Sequence, residues 1–101
     1  MNIPEEKYLE WFKDYFKQSD KCEEEESDKF YREWIDFLKD KRKKDELLKC
    51  FTSYLYGNLG SAVRNYMRRN HPEIDEDFED NYGAFEDYSW ELLNKMLDSE
   101  K

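Results

Sequence analysis

The stretch DKFYREWIDFLKD, residues 28–40, decides the class of fold. Phe30, Trp34, Phe37 and Leu38 recur at i, i+4, i+7 and i+8, with Tyr31 and Ile35 beside them. This is the period of a broad apolar face on an α-helix, and no strand-like alternation competes with it. Ser27 and Asp28 are residue types that cap a helix N-terminus. A wide-faced, central helix is therefore expected over 28–40.

On its N-terminal side, Ser19 to Asp28 carries six acids against Lys21 alone and offers nothing apolar, so it is expected to be a solvated linker. Before it, Pro4 suits the first position of a helix, and Glu5 and Glu6 suit the positive end of its dipole. Tyr8, Phe12, Tyr15 and Phe16, with Leu9, then form one stripe, predicting a helix over 4–18.

On the C-terminal side, the apolar face vanishes through Lys39 to Lys44, which predicts a break or bend, with Asp45 as the cap of the next helix. Leu47, Leu48, Phe51, Tyr54 and Leu55 resume the period over 45–57. Gly57-Asn58-Leu59-Gly60 then has the glycine and asparagine that enter the left-handed region most easily, so a turn is expected there. Ser61 is the expected cap of a helix over 61–70, with Val63, Tyr66 and Met67 inward, stopped by Asn70-His71-Pro72. Glu73 to Asp80 is expected to be an acidic loop with a helical turn pinned by Ile74 and Phe78. Phe85, Tyr88, Leu92 and Met96, with Leu93 and Leu97, close the chain with a helix over 84–97. The predicted fold is all-α: a compact bundle of four to five short helices without a sheet, forming a single acidic domain over 1–101.

Composition agrees with one core of about 13 Å radius of gyration for a chain of 101 residues. Charged residues make up 43% and hydrophobic ones only 38%, a balance that would favour disorder if the apolar residues were small. Aromatics at 18% remove that objection, since each ring can bury about 150–250 Å². The formal charge of -9 and a pI near 4.7 oppose attraction to polyanions and to anionic membrane surfaces. No apolar run reaches the roughly 18 residues of a membrane span, and the N-terminus lacks the basic and apolar regions of a signal peptide, so an intracellular, cytoplasmic protein is expected. Cys22 and Cys50 have no CxxC spacing and are expected to be free thiols.

Catalytic chemistry has little foothold. The single histidine, His71, precedes a proline, and no nucleotide-binding glycine motif occurs, so neither an enzyme nor a cofactor is expected. Asp75, Asp77, Glu79, Asn81 and Glu86 fall at spacings that mimic a calcium loop, but Asp80 stands where the turn needs glycine. A solvated acidic loop without metal is the expectation.

Charge distribution is the informative feature. Glu73, Asp75, Glu76, Asp77, Glu79, Asp80, Glu86, Asp87 and Glu91 follow one another without a Lys or Arg, while Phe78, Tyr82, Phe85, Tyr88 and Trp90 interleave with them. An acidic surface with aromatic anchors suits a basic partner: charge speeds the encounter and buried rings hold it. Glu73, Asp75, Glu76, Asp77, Glu79, Asp80, Tyr82, Glu86 and Asp87 are therefore the expected partner-binding residues. The same pattern would also arise from an ordinary amphipathic helix with a solvated acidic side. Lys39, Lys41, Arg42, Lys43, Lys44, Lys49, Arg64, Arg68 and Arg69 form an opposite pole, expected to balance the acidic segments within the fold or in a homodimer and not to bind nucleic acid directly.

Size and charge together suggest a stoichiometric inhibitor that masks the basic cleft of a nucleic-acid-processing enzyme, its carboxylates standing in for phosphates. A bacterial immunity protein against a nuclease toxin fits this description, as does a phage protein that disarms a CRISPR effector or restriction enzyme. The basic partner would be a nuclease or nucleoprotein. The alternative is a helical interaction or scaffolding module, homodimeric through whichever of Trp11, Trp34 or Trp90 is exposed. Salt separates the two, because screening weakens an electrostatic decoy and leaves an apolar contact nearly unchanged.

Overall fold

A computed structural model of the chain describes residues 2–17, 24–53, 58–79 and 81–100, with backbone alone for residues 24, 25 and 82. The protein is an all-α bundle; its described residues form α1 (Glu5–Lys17), α2 (Glu24–Lys43), α3 (Leu47–Thr52), α4 (Leu59–Asn70), α5 (Ile74–Phe78) and α6 (Tyr82–Ser99). The Cα radius of gyration is 13.4 Å. None of the described helices is long and apolar enough to cross a membrane.

The predicted stripes build the core. Tyr8, Phe12 and Phe16 of α1 meet Phe85, Leu92, Leu93, Met96 and Leu97 of α6, and Val63 and Met67 of α4 fill in beside them. Helix α1 packs against α2, α4 and α6, while α6 also reaches α2, α4 and α5. Helices α1, α4 and α6, each packed on the other two, form the centre, and α2 does not. Helix α2 buries Tyr31, Ile35 and Leu38 but leaves Phe30 and Phe37 at the surface, so only half of its wide apolar face is covered.

Several boundaries differ from expectation for local reasons. Helix α2 begins at Glu24, within the stretch expected to be linker, because acids suit the first turn of a helix; residues 18–23 lie outside the described part. Ser27 lies inside α2, and its buried hydroxyl donates to the Lys17 carbonyl (2.6 Å), satisfying an otherwise orphaned group at the end of α1. Asp45 does not cap α3. It takes a left-handed conformation (φ 64°) that turns the chain after α2, and Glu46 occupies the cap position. Helix α3 ends at Thr52, earlier than the expected 57, and residues 54–57 are not described.

Asn58 is left-handed, as its type favours, but it opens α4 instead of closing a helix: its side-chain oxygen accepts from the Ser61 amide (3.1 Å), the role expected of Ser61 itself. Gly60 lies within α4 because its lack of a side chain permits close packing. A Cβ there would stand 2.9 Å from both the ring and the carbonyl oxygen of Phe51. The turn expected at Ile74 and Phe78 is α5, and Ile74 is buried. Cys50 is a buried free thiol; Cys22 lies outside the described residues.

Candidate functional site

The acids between Glu73 and Glu91 fall into two groups. Three are committed to partners within the fold. Helix α5 places Asp75 against Arg68 of α4 in a two-pronged pair, Nε to Oδ1 at 2.7 Å and Nη2 to Oδ2 at 3.3 Å. Asp77 turns toward the chain's beginning, accepting from the amides of Asn2 (2.6 Å) and Ile3 (3.1 Å) and from the Tyr8 hydroxyl (2.5 Å). Desolvation pushes the Asp77 carboxyl up, but these three donors outweigh it and hold the group below the ordinary carboxylate range. The Tyr8 phenol moves the opposite way, raised by burial and then by its bond to Asp77. Glu86 of α6 pairs with Arg64 of α4.

Other predicted residues remain outward. Glu73 is exposed, with its carboxylate 3.8 Å from His71 Nδ1. The His71 ring lies flat on Trp11, centroids 3.9 Å apart and planes 10° from parallel. Glu76, Glu79 and Asp87 are exposed, Glu79 in the left-handed conformation that ends α5. Asp80 and the side chain of Tyr82 lie outside the described residues. The calcium-like spacing produces no oxygen cage: Asp75, Asp77 and Glu86 go to three separate partners, and Asn81 Oδ1 accepts from the Ala84 amide at the start of α6. No cluster of three or more potential metal ligands occurs among the described residues.

The cations are distributed in the same manner. Besides Arg64 and Arg68, Lys41 pairs with Glu46 (3.1 Å), Arg42 with Asp98 (2.9 Å) and Lys44 with Asp40 (3.0 Å). Five of the nine cations are thus paired with carboxylates inside the fold, Arg64 and Arg68 with acids of the 73–91 segment.

Three acids, the paired Glu86 and the exposed Asp87 and Glu91, edge a groove. Between α3, the first turn of α4 and the first half of α6 lies a hollow of about 400 Å³. Phe51 and Trp90 form its apolar floor, edge to face at 5.4 Å, and Leu48, 56% exposed, extends it. Glu86, Asp87 and Glu91 stand along the α6 side, since positions 86, 87, 90 and 91 share one face of a helix. Asp87 and Glu91 have no ion-pair partner among the described residues. Gly60 holds α4 against Phe51 at the groove's other wall, so the tight packing there also shapes the site.

No family model, curated protein or solved structure matches this chain.

Of the groove residues, Glu86 and Asp87 belong to the predicted set, and Trp90 and Glu91 to the acidic-aromatic segment that suggested it. Leu48, Phe51 and Gly60 did not stand out as site residues. Their periodicity marks Leu48 and Phe51 as core and Gly60 as a turn, and only the approach of α3 to α6 reveals that Leu48 and Phe51 flank an opening.

Proposed function

We propose that this protein is an acidic, stoichiometric inhibitor that captures a basic segment of a nucleic-acid-processing enzyme and covers its substrate cleft. The observation that carries this reading is the groove, where the carboxylates of Asp87 and Glu91, without an ion-pair partner among the described residues, stand beside the apolar surface of Leu48, Phe51 and Trp90. A lysine or arginine side chain has matching chemistry. Its aliphatic stem covers apolar surface, its charge meets the carboxylates, and a cation over the Trp90 ring gains further attraction. The net charge of -9 would steer a basic cleft toward this face before contact. Protection from a nuclease toxin and disarming of a defence nuclease both use this mechanism.

A second reading, a helical scaffolding module, draws support from the exposed Phe30 and Phe37, which lie on a different surface.

The test uses the pair Asp87→Asn/Glu91→Gln, because Asp75 and Asp77 also hold the fold together and their replacement would confuse binding with stability. Capture from the native host, followed by mass spectrometry, should recover a basic nucleic-acid-processing protein at low salt and lose it at high salt. The purified partner should lose activity on titration to one equivalent, and the double variant should bind it at least about tenfold more weakly with an unchanged melting temperature. A partner that is not basic, or one that binds the double variant as tightly, overturns the proposal.

A further inference from the structure

Helix α2 carries a second apolar face that no described element covers. With each residue turning the helix by about 100°, positions 26, 30, 33, 34, 37 and 41 share one side. Phe30 and Phe37 are 36% and 47% exposed, and with Trp34 and Glu33 they border a shallow hollow of about 260 Å³. The rings are ordered by one another: Trp34 meets Phe30 at 6.3 Å and Phe37 at 6.0 Å, edge to face, and rests on the buried ring of Phe16 at 5.3 Å. This ridge is anchored to the core through Trp34, so little side-chain entropy remains to be lost when a partner covers it.

We propose that the ridge is the contact surface of a homodimer in which two copies of α2 pack antiparallel. Helix α2 is self-complementary in charge. Exposed Glu26 and Asp28 lie toward the start of α2, whereas Lys41, Arg42 and Lys43 lie in its last turn. The aromatic ridge sits between, centred on Glu33 and Trp34 in a helix of 20 residues. When a second helix runs the opposite way across that centre, Phe30 meets Phe37 of the second copy, and Phe37 meets its Phe30. In the same register Glu26 meets Lys41 of the second copy at both ends, where the ammonium is shared with Glu46 of its own chain (3.1 Å). Lys41 already stands at the ridge's edge, its ammonium 5.4 Å from the Phe37 ring centroid.

A parallel arrangement would instead oppose Glu26 to Glu26 and Lys41 to Lys41. Two-fold symmetry requires one patch to match itself, and the antiparallel register satisfies that for both the rings and the charges. The groove beside α6 lies on other residues, so this dimer neither needs nor excludes the inhibitory reading.

Sedimentation equilibrium of the full chain tests the proposal. The apparent mass should rise from 12.6 kDa toward about twice that value with increasing concentration. Phe37→Lys should raise the dissociation constant at least about tenfold while leaving the melting temperature of the dilute monomer in place. Glu26→Lys alone should weaken the dimer, and Glu26→Lys/Lys41→Glu/Glu46→Lys should restore it, since the swapped charges meet again across the two-fold axis while the pair between positions 41 and 46 is kept with its signs reversed. A chain that stays monomeric to millimolar concentration overturns the proposal, as does a dimer indifferent to Phe37→Lys or unrescued by the charge swap. A monomer whose Phe37→Lys variant loses a captured partner would assign the ridge to that partner and overturn it too.

Discussion

Tyr8, Phe12 and Phe16 in α1 and Phe30, Trp34 and Phe37 in α2 are aromatic triplets at nearly the same helical spacing, yet the first is wholly buried and the second leaves two rings at the surface. Both helices are amphipathic, and both were legible as helices for that reason. The difference lies in how much apolar surface each carries. Helix α2 has a second row, Tyr31, Ile35 and Leu38, about 100° further round its axis, and that row makes its core contact. Helix α1 is clasped by α2, α4 and α6, so its stripe has no outlet to solvent. A helix that is apolar over more than one stripe has surface left over once its core contact is made, and this excess marks a candidate interface.

The largest expected effect tests the buried triplet. Phe12→Ala should destabilise the fold by about 3–5 kcal/mol, measured by chemical denaturation, because the ring is fully enclosed and its removal leaves a cavity. A cost below about 1 kcal/mol would show that α1 is not at the centre of the bundle.

An intermediate effect concerns the polar end of the same triplet. Asp77→Ala deprives the buried Tyr8 hydroxyl of its acceptor and should cost roughly 1–3 kcal/mol. The pH dependence follows from the lowered folded-state value of Asp77. Its contribution is present above the unfolded carboxyl value near 3.9 and is lost as pH falls through the folded value. Wild type should therefore converge on Asp77→Ala in stability as pH drops from about 5 to about 2. At alkaline pH the sign reverses. Burial raises Tyr8, Tyr31 and Tyr88, the last to about 12, so their contribution is intact below the unfolded phenol value and declines as pH rises above it. A gap between wild type and Asp77→Ala that persists unchanged in acid would remove the carboxylate from this account.

The smallest effect concerns the exposed triplet. Phe37→Ala should change monomer stability by no more than about 0.5 kcal/mol in thermal melts of dilute protein. A loss matching that of Phe12→Ala would mean that the ridge is core, and the contrast between the helices would disappear.

The sequence by itself determined the helical class and the residues that fill most of the core, because the 3.6-residue period that puts Phe12 beside Phe16 or Leu92 beside Met96 is a local property of the chain. It also marked the acidic-aromatic segment, since charge and ring content are visible without a fold. Which carboxylates remain free was a tertiary decision. Asp77 and Asp87 look alike along the chain, yet Asp77 meets the amides of Asn2 and Ile3, some 75 and 74 residues away, while Asp87 faces an open groove. The groove floor has the same origin, because Phe51 and Trp90 come together only when α3 settles against Gly60 and α6 passes alongside. Local periodicity chooses the side of a helix that is apolar; contacts between distant segments choose which apolar or charged groups are left for a partner.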